Sequence, residues 1–227
     1  SAASDVYKRQ GISKLGRKAG AIAAVGSDPF GEFLINTLKE YGVDTTHVKV
    51  KKARTTLAFV ILYPSGERSF FFYRKPWTET ADTLLSPEDI DPEYIAKAKM
   101  LHTSGVALSH DPERSAVMKA INIAKDNNLT FVFDPNVRLD LWSSIDELKE
   151  VYEKAFKLAD VILLARDEME ILFKEKDHRV AARKIMERYS EAKYVAIKLG
   201  AQGSYILRRA VSYTHLRAHE TSLHLVC

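Results

Sequence analysis

Several short stretches bring together residue types that can do chemistry. Asp134-Pro135-Asn136-Val137-Arg138 puts a carboxylate, an amide and a guanidinium into one loop. Arginine can fork onto an anion or a polyhydroxyl compound, and asparagine offers both a donor and an acceptor. The same run also reads as a plain turn in which Asp134 and Asn136 bond their own backbone. Tyr73-Arg74-Lys75-Pro76 sets a ring face beside a cation, which suits the C–H groups and oxygens of a sugar; an ordinary strand end with solvated charges is the alternative. Lys198-Leu199-Gly200-Ala201-Gln202-Gly203 could bring backbone N–H groups and a lysine to a phosphate. Its spacing is neither that of a P-loop nor G-x-G-x-x-G, and taken alone the run reads better as a plain hairpin turn. Glu168 could help hold a hydrated Mg²⁺ or simply sit favourably on a helix dipole. His102 and His110 stand at no metal-ligand spacing with another candidate, and read as a strand residue and a loop residue.

The elements that must position these residues can be read from apolar patterning. Lys18 to Gly26 is a short buried strand ending in a glycine turn. Phe30, Phe33, Leu34, Leu38 and Tyr41 recur at helical spacing, and Gly42 stops that helix. Thr55 to Tyr63 and Arg68 to Arg74 are β-rich runs joined by a turn at Pro64-Ser65-Gly66-Glu67. Helical turns follow at 86–89 and 92–97. From Met100 onward strands are predicted at 100–105, 130–134, 160–164, 194–198 and 204–208. Helices are predicted at 111–127, 146–158, 167–174 and 179–189, with Asp111 as N-cap and Pro112 in the first helical position. Nearly all-apolar strands alternating with helices mean a parallel sheet covered on both faces. Ligands in such sheets lie beyond the carboxyl ends of the strands, which is where the 134–138 loop, Glu168 and the 198–203 loop fall. The hairpin at 55–74 interrupts this rhythm and reads as a small separate sheet, a lid or a dimer surface.

Composition narrows the classes. The chain has 227 residues, 46% hydrophobic and 28% charged, with ten glycines and seven prolines. That is a globular α/β composition, neither collagenous nor low-complexity. A net charge of +4 is weak support for a nucleic-acid or anionic-membrane partner, and we expect neither. No apolar run approaches the roughly 20 residues of a membrane span. The first ten residues are too polar for a signal peptide. The single cysteine, Cys227, rules out an intrachain disulfide.

The two ends read as foreign to the middle. Ser1 to Gln10 is the translation of TCGGCAGCGTCAGATGTGTATAAGAGACAG, which resembles a transposase-type library adapter. Val211 to Thr221 resembles the opposite strand of the same DNA, read on through its other arm. We therefore expect 1–10 and 210–227 to be adapter-derived and set aside His215, His219, His224 and Cys227 as metal-site candidates. The domain is then expected at 11–209.

Taken in order, VGSDPFG (25–31), GVDTTHV (42–48), RTTLAFVILYPSGERSFFFYR (54–74), ADTLL (81–85), LHTSG (101–105), DPNVRLDLW (134–142) and KLGAQG (198–203) resemble the ribokinase-like (PfkB) carbohydrate kinases. The run is most similar to fructokinases, with 2-dehydro-3-deoxygluconate kinases close behind. The resemblance implies a ribokinase-like three-layer α/β/α sandwich with a mostly parallel sheet and a small β lid, truncated at both ends. It implies a cytoplasmic enzyme transferring phosphoryl from ATP, with Mg²⁺, to a sugar hydroxyl, and a homodimer formed through the lid. By the same resemblance Tyr73, Arg74, Asn136 and Arg138 lie near the sugar, and Lys198, Gly200 and Gly203 near the nucleotide. Glu168 matches the glutamate of the family's Asn-x-x-Glu pattern, whose asparagine position is Ala165 here. The family's D-T-x-G-A-G-D motif, with its catalytic aspartate and anion hole, is expected beyond Arg209, so the chain as written is expected to be inactive. A non-catalytic sugar- or nucleotide-binding relative is the competing class. A nicotinamide-binding domain is disfavoured for want of G-x-G-x-x-G after a strand. An acid sugar would need Arg74 and Arg138 both free to pair with it.

Overall fold

The computed structural model describes residues 11–64 and 68–209. The terminal segments read as adapter-derived, and the centre of the 64–67 turn, lie outside the described residues.

Strand β1 (Gly20–Gly26) runs into helix α1 (Pro29–Glu40), which returns to strand β2 (Asp44–Lys51), parallel to β1. Asp28 caps α1 by accepting the Gly31 N–H, with Pro29 in the first turn. Strand β2 was not expected. Its sequence DTTHVKVK carries too little apolar weight to stand out, and in the fold it is an edge strand with none of its residues fully buried.

Strands β3 (Leu57–Leu62) and β4 (Arg68–Tyr73) form a separate antiparallel ribbon in the expected place. Short turns lead to helix α2 (Pro92–Ala96). The main sheet follows in the order β5 (Met100–Ser104), β6 (Thr130–Asp134), β7 (Val161–Ala165), β8 (Tyr194–Lys198), β9 (Ser204–Arg208), all parallel except the β8–β9 pair. Its crossovers are helix α3 (Glu113–Asp126), helix α4 (Ile145–Leu158), and helices α5 (Arg166–Phe173) and α6 (His178–Arg188). Parallel strands joined by helical crossovers with short connections are what the alternating pattern required.

One correction concerns the start of α3. The helix begins at Glu113, with Pro112 at the cap position, rather than at Asp111. Asp111 still serves the first turn from outside, its carboxylate accepting the Ser115 N–H (3.1 Å) and hydroxyl (2.5 Å).

The largest core cluster lies between the main sheet and α4, α5 and α6, with Phe131, Phe133, Tyr152, Phe156 and Ile162 at its centre. A second cluster sits on the other face. There Ala116, Ala120 and Ala124 of α3 pack in one group with Ala24 of β1, Leu85, Ile90 and Ile95, and Leu101 of β5 packs against the same group. Both strands contribute to this cluster, yet among the described residues no hydrogen-bonded ladder joins β1 to β5.

Candidate active site

The carboxyl ends of β5, β6, β7 and β8 converge on one edge, and the loop after β6 is its centre. Asn136 adopts a left-handed backbone (φ 43°), which asparagine tolerates better than most residues. Three neighbours hold this loop. The Asn136 amide donates to Ser104 Oγ at the end of β5 (3.2 Å), Tyr152 Oη of α4 donates to the Pro135 carbonyl (2.8 Å), and Glu168 Oε1 of α5 accepts the Val137 N–H (2.9 Å). Contact is close enough that a Cβ on Gly105 would meet Pro135 O at 2.2 Å and Tyr152 Oη at 2.3 Å.

Arg138 lies under the ribbon. Its Nη1 donates to the Val137 carbonyl (2.7 Å), its guanidinium stacks on Phe70 of β4 (4.7 Å to the ring centre), and its Nε is buried with no hydrogen-bond partner. A guanidinium N–H left without an acceptor at the sheet edge fits a site for an oxygen-rich ligand. Across the edge, Lys198 Nζ approaches Asp134 Oδ2 at 3.5 Å, an exposed cation beside a buried carboxylate. Asn136, Arg138, Asp134 and Lys198 are thus brought to one strand edge, as the switch-point rule anticipates.

The glycine loop closes the β8–β9 hairpin. Gly200 (φ 62°) and Gly203 (φ 88°) both need left-handed backbone, and the Gly203 N–H is spent on the Gly200 carbonyl (2.9 Å). The amide of Gly203 therefore serves the turn. Arg166 at the start of α5 donates to the Gln202 side chain of the same turn, a link that the sequence did not suggest.

Glu168 is buried, and its second oxygen accepts the Ala165 N–H (2.7 Å), closing the first turn of α5. Burial, together with the charge of Asp134, holds its carboxyl above the usual range despite these two N–H donors. Two buried carboxylates that feel each other's charge are a hard-oxygen set that a divalent cation would relieve. Among the described residues no group of three or more His, Cys, Asp or Glu side chains could hold a metal by itself. The pair fits a divalent cation that keeps most of its water, as Mg²⁺ does, rather than a protein cage.

Tyr73 and Arg74 do not face a ligand together. They alternate as strand neighbours must. Tyr73 points outward, 56% exposed, on the side of Phe59 and Phe71, whereas Arg74 is 0% exposed. Each guanidinium nitrogen of Arg74 has a protein partner: Nε with Asp82 (2.7 Å), Nη1 with Ser109 (2.7 Å) and Nη2 with Glu113. This corrects the expectation of an arginine fork open to the sugar. His102 lies in β5 and His110 in the loop before α3, as expected. Burial and the charges of Arg74, Arg114 and Lys75 press the His110 imidazole below its usual value.

Fold and site together define an α/β protein whose polar, cation-bearing sheet edge is roofed by a β ribbon. The model of the pfkB family carbohydrate kinases matches residues 10–222. Probable fructokinase-5 of Arabidopsis thaliana is 41% identical over 162 residues, 71% of this chain and 49% of that protein. The 5-dehydro-2-deoxygluconokinase of Bacillus licheniformis is 32% identical over 216 residues, 94% of this chain and 65% of that protein. Fructokinase from Vibrio cholerae O395, in a fructose-, ADP- and calcium-bound crystal form, superposes with a TM-score of 0.81 at 29% identity, covering 97% of this chain and 69% of that one. The chain belongs to the pfkB family of carbohydrate kinases. It spans about half the length of the plant fructokinases that it matches. Among the described residues no helix is long and apolar enough to cross a membrane.

Proposed function

We propose that residues 11–209 are the sugar- and nucleotide-binding part of a cytoplasmic kinase that moves the γ-phosphoryl of ATP to a sugar hydroxyl, with fructose as the favoured acceptor. The observation that carries this reading is the convergence of Asn136, Arg138 and Lys198 at one sheet edge, beneath Phe70 of the ribbon. In it Asn136 and Arg138 orient the sugar, Lys198 and the 200–203 turn meet the nucleotide, and Tyr73 lies outside the sugar site. Asp134 and Glu168 would hold the hydrated Mg²⁺. When bound, that ion neutralises charge on the transferring phosphates. The ribbon covers the cleft and keeps water from competing with the sugar.

Fructose is favoured over an acid sugar such as 2-dehydro-3-deoxygluconate by the position of Arg74. An acid substrate gains most from two free arginines, and Arg74 is committed to Asp82 and Glu113. Several relatives named fructokinase support the same choice. The apolar outer face of the ribbon, with Phe59, Ile61, Phe71 and Tyr73 exposed, supports pairing of two copies through it.

The sequence holds no D-T-x-G-A-G-D run, the element that would supply the base and the anion hole. The 227-residue chain is therefore expected to bind without turning over. Calorimetric titration with fructose and with ADP should show binding, while coupled ADP-release assays should show no fructose-dependent turnover. Binding of neither ligand would remove the reading, and turnover would mean that the base lies within this chain.

A further inference from the structure

The ribbon is rooted in the body at two places, and a single carboxylate touches both roots. On the first leg, Thr55 is tied to the body by its N–H and hydroxyl, both donated to Asp28 (2.7 and 2.9 Å), and by the Gly26 N–H donated to its Oγ1 (2.9 Å). The next residue, Thr56, brings its hydroxyl to Asp82 Oδ1 (2.5 Å), where Thr80 Oγ1 also donates (2.7 Å). On the second leg, Arg74 donates Nε to Asp82 Oδ2 (2.7 Å) and reaches Ser109 and Glu113 with its other nitrogens. One oxygen of Asp82 thus serves each leg.

We infer that Asp82 is a positioning residue that sets the angle of the ribbon over the cleft, with Arg74 carrying that hold onward to α3. Between these roots the ribbon carries Phe70 to its stack on Arg138. A loosened root would displace Phe70, and with it the roof of the sugar site, while leaving the Lys198 side untouched. The link to the sugar rests on the function proposed above. The link to the ribbon does not.

The test compares the full 227-residue chain with Asp82→Asn and Thr56→Val. Asparagine keeps the shape of Asp82 but loses the charge and one acceptor for Arg74; valine removes only the first leg's bond to Asp82 and leaves Thr55 on Asp28. Hydrogen exchange read by mass spectrometry should show amides of 57–62 and 69–73 exchanging about tenfold faster or more in Asp82→Asn, the scale of losing one charge-assisted hydrogen bond. Thr56→Val should give a smaller change in the same segment, with 130–134 and 161–165 unchanged in both. Calorimetry should show weaker fructose binding by Asp82→Asn and unaltered ADP binding, a split that a general loss of structure would not produce. Wild-type exchange in the ribbon of both variants, or acceleration spread evenly over the main sheet, would overturn the inference. Failure of wild-type chain to bind fructose or ADP would count against the proposed function, and the sugar-free exchange comparison would still decide the role of Asp82.

Discussion

The carboxylate of Glu168 accepts the Val137 N–H at 2.9 Å, so a residue in the first turn of α5 holds the backbone of the loop after β6. Its other oxygen caps its own helix at Ala165. Glu168→Ala would leave both N–H groups without these partners, at a cost of about 2–4 kcal/mol. Glu168→Gln, which keeps one acceptor, should lose roughly half as much. Urea midpoints for the two variants check this; equal stability of wild type and Glu168→Ala would refute it.

Asp82 and Glu168 respond to pH in opposite senses. Burial pushes the Asp82 carboxyl up, but the charge of Arg74 and the hydroxyls of Thr56 and Thr80 outweigh it and hold the group below its usual value. Such a group contributes stability that is fully present above the unfolded carboxylate value, about 3.9, and is lost as pH falls through the folded one. Glu168, held above its usual value, takes up its proton first in the folded state, so acidification through that raised value adds stability. Urea midpoints measured from about pH 7 to about pH 3 should therefore rise slightly and then fall steeply. Asp82→Asn should flatten the fall, and Glu168→Gln should remove the rise.

Asn136 separates backbone demand from side-chain chemistry. Its left-handed φ of 43° is costly for alanine, by about 1–2 kcal/mol, and costless for glycine. Asn136→Gly should lose about 1 kcal/mol, the scale of its hydrogen bond to Ser104, while weakening fructose binding. Asn136→Ala should lose the same bond and incur the backbone cost as well, about 2–3 kcal/mol in all. A calorimetric titration beside a melting curve distinguishes the two variants, and full fructose affinity in Asn136→Gly would remove the amide from the site.

Gly105 tests how tightly the loop is seated. The atoms that an added Cβ would meet are a backbone carbonyl and the hydroxyl of a ring locked in the core, neither free to yield. Gly105→Ala should destabilise by about 1–3 kcal/mol. Denaturant unfolding measures it, and an unchanged midpoint would show that the loop can shift.

Much of this arrangement was legible in the sequence. Asn136, Arg138 and Lys198 stand directly after apolar strands, so chain order alone puts them at one sheet edge. The ribbon was legible for the same reason, as two β-rich runs about a turn. Arg74 and its partners were not. Asp82, Ser109 and Glu113 are scattered along the chain, and a buried ion-pair cluster leaves no local period. Strand alternation could have separated Tyr73 from Arg74, but the aromatic–cation pairing drew both toward the sugar. Strand β2 escaped notice because an exposed edge asks little apolarity of its residues.

The alanine face of α3 has a mechanical consequence. Ala24 in the half built on β1 and Leu101 in the half built on β5 both reach the cluster on that face, although among the described residues no ladder links the two strands. One root of the ribbon is tied to Asp28 in the first half, the other to Glu113 in the second. The ribbon is therefore a strap across the two halves, and Asp82, bonded to Thr56 on one leg and Arg74 on the other, is its buckle.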